Sequence, residues 1–379
     1  MPNETITEKS GTAMMGARGR FGLKSITMAD FKKHRPLIIG LSVCLCLVML
    51  ISISLGAFKI SISSIAAILL DVLIPFNFFD GIYEPYERNI LLSIRLPRVM
   101  AATVIGGALG ISGAVLQSLF RNPLAEPGLI GVSSGSALAA ILVIVLFSGE
   151  LFLFDINISP YVLPIAAFAG GLSATVIVYV LGKRIQGDSA AVMLLIGVAL
   201  NAVAMAGIGL LQFLSDDTQL RLLTFWMMGG LGSIGWLDLA PISGFVLIGA
   251  YGLLRLATPL NAYLLGAKEA QHLGVNVSEM TKKAVLLSSL IVGASVSIAG
   301  IISFVGLIVP HLVRQISGPD NRTVIIGSAL MGAILLLIAD LIARNLIAPS
   351  ELPVGLVTSA IGGPFFLWQL MKRRKRNPS

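Results

Sequence analysis

Charge is what this sequence has least of. Only 12% of its 379 residues are Asp, Glu, Lys or Arg, against about 25% in soluble globular proteins, and that shortage excludes an ordinary soluble enzyme or a disordered chain. There are just two cysteines, Cys44 and Cys46. Two apart, they lie on different faces of a helix, which excludes a disulfide scaffold and implies no metal site. The three histidines, His34, His272 and His311, fall in separate segments with no carboxylate or cysteine at ligand spacing, so no catalytic constellation emerges. No Gly-x-x-x-x-Gly-Lys loop is present, so ATP is not bound that way. A chain of intramembrane carboxylates, as ion-coupled pumps require, is missing as well. Asp340 is the only acid near an apolar run, and Asn201, Gln117 and Gln212 are the notable polar groups inside them.

What is present in excess is apolar: 56% hydrophobic residues, 40 glycines and a mean hydropathy of +0.91. The net charge of +8 sits at the ends. Residues 1–35 hold seven basic and three acidic residues, and Lys372-Arg373-Arg374-Lys375-Arg376 adds five positives. Between them the chain is close to neutral. That distribution is a topology label rather than a nucleic-acid footprint, and the positive-inside rule assigns both ends to the cytoplasm. The fold class is therefore an all-α polytopic membrane protein with an even number of spans. Residues 1–35 are too long and polar for a cleaved signal peptide and are expected to form a disordered cytoplasmic extension. Residues 36–371 are expected to form the transmembrane domain, and 372–379 the basic tail.

About 20 apolar residues cross the hydrocarbon core. Candidate spans are 36–58, 99–120, 127–149, 156–182, 189–215, 239–254, 323–339 and 352–371. The uncharged stretch 284–313 is long for one span and short for two. Gly300, Gly306 and Pro310 interrupt its second half, so a full span followed by a broken one is expected, making about ten transmembrane helices. Residues 222–237 are expected to be re-entrant or interfacial, and 59–94 an outer connection. Most loop arginines and lysines then fall inside. Arg88, Arg95, Arg98 and Arg344 fall outside and call for a reason.

Several motifs follow one another in order. They are Arg95-Leu96-Pro97-Arg98, Gly113-Ala114-Val115-Leu116-Gln117 and the stretch from Arg121-Asn122-Pro123 through Glu126-Pro127-Gly128 to Gly135. After these come Leu195–Leu200, Phe225–Gly230, Leu265–Gly274, Phe304–Arg314, Glu351–Gly355 and Gly363–Trp368. Together they resemble the signature of the iron-siderophore, haem and vitamin B12 importer permeases, the membrane subunits of type II ABC importers. The resemblance implies a homodimer in the cell inner membrane, two ATPase subunits that bind the ATP, and a periplasmic substrate-binding protein. No enzyme activity, resident cofactor, metal site or nucleic-acid partner is expected of the permease itself.

The resemblance also implies roles for particular residues. Arg95, Arg98 and Arg344 match outer arginines that dock the binding protein, the rival reading being membrane-interface anchors. Residues 261–277 match the coupling helix that receives ATPase movement. There Gly266 and Gly274 bracket a helix whose apolar side is Leu265, Ala270, Leu273 and Val275 and whose polar side includes Lys268, Glu269, Gln271 and His272. The translocation path is expected along the span 189–215 at the dimer axis, with Asn201, Met205 and Gln212 on its face. Ser189, Ala190 and Ala191 align with the cytoplasmic gate of the vitamin B12 permease, and the alanines there favour a steric constriction over a hydrogen-bonded one. Asp216-Asp217-Thr218-Gln219-Leu220-Arg221 with Thr224-Phe225-Trp226 is similar to haem-importer permeases, so haem is the expected cargo, with a ferric siderophore or cobalamin as alternatives. A secondary transporter is the rival of another class. It would need an intramembrane charged pair, for which only Asp340 offers itself.

Overall fold

A computed structural model describes residues 34–56, 58, 60–73, 81–147, 152–153, 156–157, 159–186 and 190–376. Fourteen helices follow in order: α1 Arg35–Ser54, α2 Ile62–Leu73, α3 Pro85–Leu119, α4 Val132–Leu146, α5 Ser159–Gln186, α6 Ala190–Leu214, α7 Asp217–Met228, α8 Trp236–Arg255, α9 Ala257–Leu264, α10 Ala267–His272, α11 Val277–Ala299, α12 Val305–Ser317, α13 Asn321–Asn345 and α14 Val354–Arg376. Among the described residues the only strands are a two-residue antiparallel pair, Phe152–Leu153 with Ile156–Asn157. Seven helices are long and apolar enough to cross a membrane, namely α1, α3, α5, α6, α8, α11 and α13, and three shorter apolar helices accompany them in α2, α4 and α14. The architecture is an all-helical bundle with helices of membrane-spanning length. The expected N-terminal extension lies outside the described residues but for its last two.

The centre of the bundle is α3, which packs against α13, α11, α12 and α8 and is buried along most of its length. Small residues let backbones meet. A Cβ at Gly106, Gly110 or Gly113 would overlap the carbonyl oxygen of Gly332, Ser328 or Gly306 respectively. In lipid, where apolar side chains gain nothing by leaving the acyl chains, such close contact is what holds spans together. The helix starts earlier than hydropathy suggests. Pro85 occupies its first turn, and Glu87 turns back to accept from the Glu84 amide at 3.0 Å. A π-helical stretch, Ile90–Arg95, then leads into the regular helix. Residues 59–94 are thus not merely a connection, since they also hold α2 and the first part of α3.

The long uncharged stretch is broken as its glycines suggest. It divides into α11 and α12 at Gly300–Phe304, where Gly300 and Phe304 have φ of 67° and 68°. The break is held in place because Gly230 N–H donates to Ala299 O at 2.8 Å. Its charged flank is not a loop but the opening of α11, capped by the Asn276 side chain and carrying a Lys283–Glu279 ion pair at 2.6 Å. Residues 222–237 hold the end of α7, a glycine turn and the start of α8.

Candidate functional site

The Asp340 end of the bundle gathers the anomalous arginines. Asp340 is fully buried on α13, and Arg98 of α3 reaches it with Nε and Nη2, both 2.9 Å from Oδ1. The remaining edge of Arg98, Nη1, donates to both oxygens of Glu351 at 3.0 and 2.9 Å. Arg344, one turn beyond Asp340, brings Nε to 3.1 Å from Oδ2 without hydrogen-bond alignment. Its Nη2 donates to Ser52 O at 3.1 Å and Ser52 Oγ at 2.9 Å. Arg95 donates from Nη1 to Ile53 O at 2.7 Å and Ser54 O at 2.9 Å, and from Nη2 to Phe58 O.

The three arginines expected to dock a partner are turned inward in this structure. Arg95 and Arg98 are buried, and the Arg344 side chain is only 8% exposed. All three are engaged within the chain. The physical reason is the end of α1. Its last turn has no basic residue of its own, and the final carbonyls of a helix lack intrahelical partners and carry partial negative charge. Arg95 and Arg344 supply the missing donors. Glu351 was not singled out from the sequence, although it stands inside one of the motifs. Asp340 and Arg344, four apart on one helix face, were the legible half of the cluster.

Beside this network lies a cavity of about 410 Å³ lined by Arg98, Phe225, Trp226, the turn Gly229–Ser233, Gly300 and Glu351. Its α7 wall begins with a capping box, in which Asp216 accepts from the Gln219 amide and Gln219 from the Asp216 amide. The Asp216–Trp226 segment singled out for cargo therefore forms part of a wall of this cavity.

Residues 261–277, expected to receive the ATPase, lie at the opposite, Asn321 end. Residues 261–277 are not one helix. α9 and α10 are separated at Gly266, whose φ of 143° only glycine adopts without strain, and α10 is closed by Gly274 at φ 84°. The apolar side also divides. Ala270 is fully buried, whereas Leu265 is 69% and Leu273 55% exposed, and Lys268 and Glu269 are exposed as well. The segment is anchored twice. Arg121 donates to Tyr263 O at 2.5 Å with its guanidinium 4.2 Å above the Tyr263 ring. Asn261 accepts from the Asn321 backbone and side chain at 2.8 and 2.9 Å and donates to Asp320 at 2.6 Å. Ser118 continues the chain, donating to Asn321 and receiving Arg314 at 2.7 Å.

On α6 the expected path residues separate. Asn201 is half-buried and committed, accepting from Ser134 Oγ at 2.5 Å and donating to Gly128 O at 3.1 Å, so it fixes α6 to the loop before α4 rather than facing an open path. Gln212 turns to the Met227 sulfur at 3.9 Å. Met205 is exposed among Val203, Leu210 and Phe213. Ala190 is half-buried and Ala191 exposed, while Ser189 lies outside the described residues. In the loop leading to α4, burial pushes the Glu126 carboxyl above its ordinary value. Among the described residues no cluster of His, Cys, Asp and Glu could hold a metal ion.

Comparison with known proteins gives these features a context. The FecCD transport family matches residues 44–372. The chain is 45% identical over 288 residues to the hemin transport system permease protein of Yersinia pestis, covering 76% of this chain and 85% of that one. It is 41% identical over 287 residues to the vitamin B12 import system permease protein of Vibrio parahaemolyticus, covering 76% and 84%. Its fold superposes on a solved metal-chelate type ABC transporter in an inward-facing conformation with a TM-score of 0.77 and 30% identity, covering 89% of this chain and 99% of the other. The chain therefore belongs to the FecCD transport family, the membrane permeases of type II ABC importers.

Proposed function

We propose that this permease imports haem across the cytoplasmic membrane, working as a homodimer with two ATPase subunits beneath and a substrate-binding protein above. The observation that carries the cargo is the 45% identity to the Yersinia hemin permease. It is supported by α7, whose Phe225 and Trp226 line the apolar wall of the 410 Å³ cavity. The second copy is suggested by α6, which leaves Leu195, Val203, Leu210 and Phe213 more than half exposed although its opposite face is packed. Leu265 and Leu273, exposed on either side of Lys268 and Glu269 in the chain, suit a groove on the ATPase. The expected gate at Ser189, Ala190 and Ala191 belongs to the same reading as a steric constriction with cytoplasmic termini on either side of ten spans. In this reading the arginine network is the outer docking region, with Arg98 facing the cavity behind the half-exposed Glu351 and Arg95 and Arg344 holding the frame around it.

The test is ATP-dependent uptake of radiolabelled haem into proteoliposomes that contain the purified complex, with a ferric siderophore and cobalamin run alongside. Haem uptake that requires the ATPase subunits supports the reading. Transport of either alternative cargo without haem overturns the cargo assignment, and uptake without any ATPase overturns the energy coupling.

A further inference from the structure

Arg98 divides its donors unequally. Nε and Nη2 face Asp340, which has no exposed surface, whereas Nη1 faces Glu351, whose side chain is 48% exposed. The inner carboxylate is locked by burial. Removing it would strand a charge away from water, which is the costly way to break an ion pair. The outer carboxylate is half in solvent, where ion pairs are weak. Of the two partners only Glu351 can leave at small cost, and it covers the one donor edge of Arg98 that an approaching molecule could use.

Glu351 also has a mechanical position. It stands three residues before α14, in a linker pinned by the Leu352 amide to Ala343 O at 3.0 Å. The Gly229–Ser233 turn presses against the pair, and a Cβ on Gly232 would meet Glu351 Oε2 at 3.1 Å and Arg98 Nη1 at 3.5 Å. Whatever displaces Glu351 therefore acts on the entry of α14 and on the turn between α7 and α8 together, both of which line the cavity.

We propose that Glu351 is an internal stand-in. It occupies the outward edge of Arg98 while the permease is undocked and yields that edge to a carboxylate of the docking protein, which frees the linker into α14. The exchange replaces one carboxylate by another, so the charge around Arg98 is unchanged and no guanidinium is left bare. The partner chemistry this surface fits is an acidic protein face, and the proposal rests on the docking reading above.

The experiment measures association of the substrate-binding protein of the same transport system with the intact complex in nanodiscs. Glu351→Gln removes the internal competitor and is expected to tighten binding about fivefold, mostly through slower dissociation. Glu87→Gln changes the same charge at a half-buried position in the first turn of α3, away from Arg98, and keeps the oxygen that accepts from the Glu84 amide. It is expected to leave affinity within about twofold, because long-range charge acts mainly on the association rate. Thermal unfolding of both variants checks that the fold is intact. Equal tightening by both variants, or no tightening by Glu351→Gln while binding-protein variants with docking-face carboxylates changed to amides bind more weakly, overturns the exchange and leaves docking standing. Unchanged binding by those binding-protein variants overturns the docking reading itself.

Discussion

Replacing Asp340 by Asn tests whether the arginine network holds the Asp340 end of the bundle together. The substitution keeps shape and one acceptor but removes a fully buried negative charge, which two guanidiniums approach at 2.9 and 3.1 Å. Breaking a buried ion pair from one side costs about 3–5 kcal/mol. Here the lower end applies, because Arg98 keeps Glu351 and Arg344 keeps Ser52. With an unfolding entropy of about 2.1 cal/mol/K per residue, a chain of 379 residues loses about 4 °C in Tm for a loss of about 3 kcal/mol.

The assay is thermal unfolding of the purified permease in one detergent, with Glu351→Gln as the paired variant. Half-exposed as it is, Glu351 should cost under about 1 kcal/mol and about 1 °C. Arg344→Gln combined with Asp340→Asn should lose less than the sum of the two, since each has already removed the other's partner. A Tm for Asp340→Asn no lower than that of Glu351→Gln would refute the account of a buried anchor with an exposed latch.

Two further outcomes are expected. Gly113→Ala places a methyl group against the Gly306 backbone of α12, which cannot rotate aside. It should cost at least the roughly 1–3 kcal/mol of overpacking, whereas Gly244→Ala, with open space around it, should be neutral or slightly stabilising. Equal unfolding temperatures for the two would contradict the close α3–α12 contact. Glu126 has its carboxyl pKa raised by burial, so the folded state holds its proton more tightly than the unfolded chain does. The favourable contribution is complete below the unfolded value of about 4.3 and is lost as pH rises through the raised folded value. Glu126→Gln should flatten stability in that window when unfolding is followed from pH 4 upward, and an unchanged slope would show that the carboxyl is solvated.

Much of the fold was legible because lipid demands long uncharged stretches, and these stand out in a chain so poor in charge. The break at Gly300 was readable from glycines and Pro310 in a stretch of awkward length. The earlier start of α3 was not. Its first turns carry Glu84, Glu87 and Arg88, and a hydropathy criterion rejects charge even where a capping box and a π-helical stretch continue the helix. The outer arginines were found by their wrong-side position, yet their partners were missed for a geometric reason. Arg98 and Glu351 are 253 residues apart, and backbone carbonyls at the end of α1 leave no trace in composition. Asn201 was recognised as an unusual polar group within a span, but polarity alone did not tell a path-lining amide from one tied to Gly128 and Ser134.

The two polar clusters share an element. α13 begins at Asn321, tied through Asn261 to the coupling segment, and ends at Asp340 and Arg344, tied to Arg98 and to the end of α1. Between these ends it lies against α3, where Gly106 and Gly110 face Gly332 and Ser328 with no side chain to absorb a displacement. Two helices in backbone contact cannot slide past each other by exchanging rotamers, since interiors packed this closely transmit strain instead of relaxing it. A displacement at α10 is therefore expected to move α3 and α13 as one body, together with the end of α1 that Arg95 and Arg344 hold, while α6, with most of its surface uncovered, is free to shift. The linker carrying Glu351 joins that body to α14, which places the half-exposed Arg98–Glu351 pair where the packed body meets the last helix.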